Sequence, residues 1–313
     1  MDERSNAAIL GDLLEKTSRT FALSIPVLPG PTQLEVTVAY LMFRIADTLE
    51  DATRWSQEQQ LAELDALAGL LRDPLPDRAH GLAARWLDAP PCEHAGYLEL
   101  LEHTPLVLDT MLGLAPEARA LIRSHTLRTI ERMASFVARA RHGAGLQLDD
   151  TEDLRSYCYA VAGIVGEMLT ELFLLGREGL DGIAPFLRES AAAFGEALQL
   201  VNILKDSADD SIEGRRYLPP ECDRGEVFAL ARRDLNVASR YVHALQGAGA
   251  PRGVVEFTAL PVLLAFGTLA RVEQQGPGAK LSRPEVGEIV ASLQAALSNN
   301  QPAIPTAEGS AEA

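Results

Sequence analysis

Apolar residues recur at three- and four-residue spacing along almost the whole chain, the pattern of helices with one buried face. It predicts helices over Ala7–Lys16, Pro31–Asp51, Ser56–Leu71, Gly81–Ala89, His94–Leu114, Pro116–Ala140, Thr151–Leu175, Ile183–Asp209, Arg224–Gln246, Arg252–Arg271 and Arg283–Ala296. Pro31, Pro116 and Pro284 stand at helix starts, where a missing N–H costs little. Breaks fall at Pro26–Pro31, Asp73–Asp77, His142–Leu148, Gly176–Gly182, Gly214–Pro220 and Gly247–Gly253. No run alternates with period two, and no segment repeats, so the chain reads as all-α, one domain over residues 1–297. The tail from Ser298, SNNQPAIPTAEGSAEA, is polar and Pro/Ala-rich and is expected to be disordered.

Composition supports helix over strand: of 313 residues 47% are hydrophobic but only 5% aromatic, with Ala and Leu abundant. The formal net charge of −16 excludes broad attraction to nucleic acid or to an anionic membrane surface. An anionic substrate therefore needs local help from metal ions or arginines. Cys92, Cys158 and Cys222 lack CxxC spacing and an even count, which reads as reduced thiols in a cytoplasmic protein. The start, MDERSNAAILGDLLEK, has no basic segment followed by an apolar run and is not read as a signal peptide. No apolar stretch reaches the roughly 18 residues of a membrane span, and Val254–Leu269 reads as a core helix.

The candidate chemistry lies in two acidic segments. Asp47-Thr48-Leu49-Glu50-Asp51 and, far along the chain, Asn202, Asp206 and Asp210 repeat at four-residue spacing, which stacks them on one helix face. With 44 acidic residues, chance alone supplies roughly half a dozen such pairs, and most are solvated faces. These two differ in their flanks: Asp47 follows AYLMFRIA and Asp206 follows FGEALQLVNILK, both largely apolar. Carboxylates at the end of apolar helices repel one another unless a cation neutralises them. Asn202 adds a neutral oxygen one turn before Asp206, and an all-oxygen donor set suits Mg²⁺. Two facing helices with such stripes hold hard cations and, through them, a diphosphate. Arg19, Arg44, Arg215 and Arg216 lie close in sequence to these segments, as bidentate diphosphate donors would; the plain alternative is local pairing with each Asp. No GxxxxGK[ST] loop, GxGxxG after a strand, HExxH or GxSxG is present.

Four ordered strings make the chain resemble the squalene/phytoene synthases across roughly residues 15–290: Ser18-Arg19-Thr20-Phe21-Ala22; Tyr40-Leu41-Met42-Phe43-Arg44-Ile45-Ala46-Asp47-Thr48-Leu49-Glu50-Asp51; Tyr157-Cys158-Tyr159-Ala160-Val161-Ala162-Gly163-Ile164-Val165-Gly166; and Gln199 through Asp210 followed by Gly214-Arg215. The string Asp-Thr-Leu-Glu-Asp is more like the squalene than the phytoene branch. Two departures are Lys205, where the family usually has Arg, and Asp209, where it usually has Glu; Lys205 gives up bidentate geometry.

The resemblance implies an all-α isoprenoid-synthase fold with a central cavity and a head-to-head condensation of two farnesyl diphosphates. It implies Mg²⁺ on Asp47, Glu50 and Asp51 and on Asn202, Asp206 and Asp210, and diphosphate contacts from Ser18, Arg19, Tyr40, Arg44, Gln199, Lys205 and Arg215. Tyr157 becomes the candidate general base, although a Tyr in this pattern is equally a packed aromatic. Ala162, Gly163 and Gly166 leave room for a C15 chain or for close helix packing. The reductive, squalene-forming reaction would add NADPH; Lys280 and Arg283 are candidates near its phosphate, and a solvated helix start is the plainer reading of Lys280. Alternatives are a non-reductive enzyme that stops at presqualene diphosphate or makes a dehydrosqualene- or phytoene-like product, geranylgeranyl diphosphate as substrate, and a non-catalytic assembly factor. The expected setting is cytoplasmic, with peripheral membrane contact suggested by the lipid product.

Overall fold

The computed structural model describes residues 3–18, 20–140, 146–212, 216–219 and 222–305, and the side chains of all these except 3–5 and 208–212. The expected helices are all present: α1 (Glu3–Thr17), the short α2 (Phe21–Ser24), α3 (Gly30–Glu50), α4 (Gln57–Arg72), α5 (Pro76–Asp88), α6 (Ala95–Glu102), α7 (Thr104–Gly113), α8 (Pro116–Arg139), α9 (Thr151–Cys158), α10 (Ile164–Leu174), α11 (Ala184–Ile212), α12 (Arg224–Gly247), α13 (Arg252–Gln275) and α14 (Arg283–Ser298). Among the described residues the β-structure is one isolated parallel bridge, Gln147 to Arg216. Ser56, Asp150 and Ser282 cap α4, α9 and α14 through side-chain oxygens, and Ser282 with Glu285 forms a capping box.

Four local expectations change. The helix expected over His94–Leu114 is two helices, because Pro105 has no N–H to continue the ladder and sits instead in the first turn of α7. Helix α5 begins at Pro76, a favourable first position, rather than at Gly81. The helix over Thr151–Leu175 is interrupted by a π-helical turn, Tyr159–Gly163, between α9 and α10. The tail, expected to be disordered from Ser298, instead lies along α12 through Pro305, with Ala303 and Ile304 buried. Its carbonyls at Gln301 and Ile304 meet Gln246 and His243, and the Ala303 N–H donates to Gln246. Residues 306–313 are outside the described residues.

The helices cluster into two compact units, Met1–Pro26 with Gly30–His142, and Val27–Pro29 with Gly143–Ala313. In the first, α3 packs against α1, α4, α6, α7 and α8. Beyond its first turn it is buried on nearly every side, and most of its buried side chains are apolar. In the second, α11 is the hub, touched by α9, the π turn, α10, α12 and α13. Small residues permit this: a Cβ on Gly166 would lie 2.1 Å from the Ala191 carbonyl oxygen, and one on Gly195 2.0 Å from that of Ala162. The segments Thr151–Leu174 and Arg252–Gln275 meet the length and hydropathy of a membrane span, which the sequence reading did not anticipate. Most of each is buried among neighbouring helices, as a core helix would be.

Candidate functional site

Beyond the exposed first turn of α3 one line of side chains is less buried than the rest: Tyr40, Arg44 and Asp47 are half-buried, and Asp51, just past the helix end, is exposed. Spacing of four, three and four residues keeps them on one face. The Asp51 N–H still donates to the Asp47 carbonyl at 2.8 Å, so the helical turn carries the last carboxylate into line. Glu50, expected beside them, is buried at 8% exposure, off this line and on the side that packs into the unit.

Arg44 is fixed from several directions. An Nη donates to Asp47 Oδ2 at 3.1 Å, and Nε to the Tyr40 hydroxyl at 3.3 Å. The guanidinium also lies 5.6 Å from the ring centroids of both Tyr40 and Tyr97. Tyr97, on α6, was not found by sequence reasoning: nothing local marks it, and only the packing of α6 against α3 brings it to Arg44. Its ring in turn lies tilted against His94, with centroids 4.0 Å apart. The Tyr40 hydroxyl donates to the Thr17 carbonyl at 2.7 Å, which ties the start of the Ser18-Arg19 segment to this stripe. Ser18 Oγ accepts the Phe21 N–H at 2.9 Å, and the Phe21 ring lies 5.5 Å from Tyr40. Arg19 is outside the described residues.

Burial pushes the Asp47 carboxyl up to about 6; Arg44 pulls it down and the neighbouring Asp51 pushes it further up. A metal cation beside it would relieve that penalty by stabilising the charged form.

In the second unit Gln199, Asn202 and Asp206 make a corresponding line on α11, with Asn202 exposed and the other two half-buried. Lys205 Nζ reaches Asn202 Oδ1 at 3.3 Å and Asp206 Oδ2 at 3.2 Å. The backbone here is anchored: the Gly278 N–H donates to the Lys205 carbonyl at 2.7 Å, and Arg224 to the Leu204 carbonyl at 3.1 Å. Gly276 and Gly278 adopt φ of +88° and +83°, which lets this tight loop reach α11. Lys280 therefore follows a loop tied to the second stripe, and Lys280 and Arg283 are both exposed. The Asp210 side chain and all of Arg215 are outside the described residues.

Tyr157, at the end of α9, is 4% exposed and stacks on Tyr217 with centroids 4.9 Å apart. Behind it, the Tyr159 hydroxyl donates to Glu167 at 3.1 Å, and Glu196 on α11 faces Arg155 at 3.8 Å. Burial raises the Glu196 carboxyl against the pull of Arg155. These carboxylates lie off the stripe and were not found from the sequence.

Among the described residues no three His, Cys, Asp or Glu side chains converge tightly enough to hold an ion alone. The donors of each stripe are instead carboxylate and amide oxygens, some open to solvent. That is the partial oxygen shell Mg²⁺ accepts when substrate phosphate and water complete it.

The sequence profile described as Squalene/phytoene synthase matches residues 14–222, which include α3, Tyr157 and the described part of the α11 stripe. The chain belongs to the squalene/phytoene synthase family. Among its relatives, squalene synthase of Mus musculus is 31% identical over 208 residues, covering 66% of this chain and 45% of that protein. Squalene synthase of Eremothecium gossypii is 28% identical over 284 residues, covering 83% and 60%. The chain thus spans less than two thirds of the length of these relatives. A solved complex of TcSQS with the ligand E5700 superposes with a TM-score of 0.73 at 25% identity, covering 94% of this chain and 88% of that one. A dehydrosqualene synthase in complex with ligand superposes with a TM-score of 0.56 at 20% identity, covering 95% and 98%, a likeness of fold alone. The all-α isoprenoid-synthase architecture is therefore that of the family.

Proposed function

We propose that this chain condenses two farnesyl diphosphates head to head through presqualene diphosphate to squalene. The observation that carries the reading is the polar line Tyr40–Arg44–Asp47–Asp51 on a helix otherwise buried on nearly every side. A core helix that beyond its first turn leaves these groups accessible, within a family of prenyl-diphosphate enzymes, is suited to hold an anionic substrate through cations. Asp47, Glu50 and Asp51, and separately Asn202, Asp206 and Asp210, are the proposed Mg²⁺ ligands. Bound there, Mg²⁺ would neutralise the leaving diphosphate.

The chain's own residues supply the rest. Arg44, locked between two tyrosine rings and Asp47, presents its remaining N–H groups without rotamer loss on binding. Ser18, Arg19 and Tyr40 in the first unit, and separately Gln199, Lys205 and Arg215 in the second, are assigned to diphosphate contacts. Tyr157, dry and held by its stack on Tyr217, is assigned to accept the proton lost on ring closure. Lys280 and Arg283 are exposed cations suited to the phosphate of NADPH, which would provide the hydride of the second half-reaction. The squalene synthases among its sequence relatives support the reductive product.

The test is incubation of purified protein with farnesyl diphosphate and Mg²⁺, with and without NADPH. Squalene that appears only with NADPH is expected. A dehydrosqualene product, or accumulation of presqualene diphosphate with NADPH present, would reject the reductive step, and preference for geranylgeranyl diphosphate would reject the substrate. Asp47→Asn and Asp206→Asn should each nearly abolish diphosphate release, and near-normal turnover in both would overturn the metal assignment.

A further inference from the structure

We propose that Lys205 is a resident counter-ion of the α11 stripe, which metal must displace and which then turns to the substrate's diphosphate; this rests on the metal reading above. Its ammonium lies within 3.3 Å of Asn202 Oδ1 and 3.2 Å of Asp206 Oδ2, two of the oxygens assigned to the metal. One cation already occupies the point on which these donors converge, so a metal ion and the ammonium compete for the same lone pairs.

The α3 stripe shows what makes Lys205 different. Arg44 also sits on a proposed ligand, Asp47, but it is fixed by the Tyr40 hydroxyl and by two aromatic rings. Leaving Asp47 would cost it those contacts. The described contacts of the Lys205 side chain are the two oxygens alone, and 23% of that side chain is exposed. A flexible four-carbon stem carrying a point charge can swing where a stacked guanidinium cannot. The backbone does not have to follow, because Gly278 and Arg224 hold the carbonyls of Lys205 and Leu204. Exchange is then a side-chain rotation on an intact helix.

Two linked effects follow. Before substrate arrives, Lys205 neutralises the stripe and weakens metal binding. Once metal takes the oxygens, the displaced ammonium is drawn to the nearest anion, the diphosphate, so metal and diphosphate bind cooperatively.

Lys205→Met removes the charge and keeps the stem. Mn²⁺ titration followed by electron paramagnetic resonance, without substrate, should show K205M binding Mn²⁺ roughly two- to fivefold more tightly, the worth of a partly exposed ion pair. Calorimetry with inorganic pyrophosphate at saturating Mn²⁺ should show the reverse, about tenfold weaker binding, as for a lost charge-assisted contact. Lys205→Arg, which keeps the charge, should stay near wild type in the first titration. Unchanged or weaker Mn²⁺ binding by K205M, while D206N loses bound Mn²⁺, would overturn the role of Lys205 alone. Wild-type Mn²⁺ binding by D206N would remove the metal reading beneath it.

Discussion

Gly166→Ala places a methyl group against the backbone of α11. The new Cβ would fall 2.1 Å from the Ala191 carbonyl oxygen and 3.1 Å from its carbon, whereas ordinary contacts of this kind begin near 3.4 Å. The obstruction is main chain, so no rotamer change relieves it, and α10 must move off α11 by about an ångström. Overpacking of a rigid interface costs typically about 1–3 kcal/mol and occasionally more. Against this stands the gain of about 1 kcal/mol for Ala over Gly in a helix interior. A backbone clash this deep belongs at the upper end of the first range, which leaves a net loss of about 2 kcal/mol. For a protein of this size that is a fall in Tm of roughly 3 °C. The control is Gly287→Ala on the exposed face of α14, where nothing lies within 4 Å of the added Cβ. It should gain up to about 1 kcal/mol. Differential scanning calorimetry of both variants and the parent gives the comparison. Turnover of farnesyl diphosphate should fall further than stability does, because α10 and the π turn carry Tyr157 relative to the Asn202 stripe within the same unit. A Gly166→Ala protein as stable as the Gly287→Ala protein would refute the close-packing account.

In the first unit, Glu63→Ala should cost about 3 kcal/mol in urea denaturation, since it strips the fully buried Trp86 N–H and the Arg85 guanidinium of their shared carboxylate. Glu285 is held below the usual glutamate range by its bonds to Ser282 and by Arg271. A depressed carboxyl stabilises the fold above its unfolded pKa near 4.5 and loses that contribution as pH falls through its lower folded value. Glu285→Gln should therefore expose α14 to faster amide exchange at neutral pH and match wild type in strong acid; an equal difference at both would contradict this. Burial, with the charges of Glu196 and Asp234, pushes the Cys158 thiol well up. Iodoacetamide should label Cys92 and Cys222, which are half-exposed, and reach Cys158 only on unfolding, as peptide mapping would show.

Periodicity was enough to place the helices because nearly every one buries a single apolar stripe, and Pro and Ser mark several starts chemically. Both acidic stripes were legible for the same reason: four-residue spacing survives folding unchanged. What was hidden depends on partners remote in sequence. Tyr97 reaches Arg44 only through packing of α6 on α3, and Lys205 settles on Asn202 and Asp206 rather than pointing outward. The burial of Glu50 was not legible either, because three-residue spacing is compatible both with a side chain beside Asp47 and with one that turns inward. The tail misled for a different reason: its polar composition conceals Ala303 and Ile304, which find a surface on α12.

The π turn at Tyr159–Gly163 places one surplus residue inside an otherwise continuous helix. At 100° per residue, that surplus sets the angle between the face bearing Tyr157 and the face bearing Gly166. Were the same residues to relax into regular α geometry, one face would swing about a quarter-turn from the other, whereas removing one residue of the turn would let the helix heal with both faces still aligned. In this stretch residue number matters as much as residue identity. A single deletion there should therefore damage catalysis less than a single deletion within α9 or α10, which turns one face away from the other.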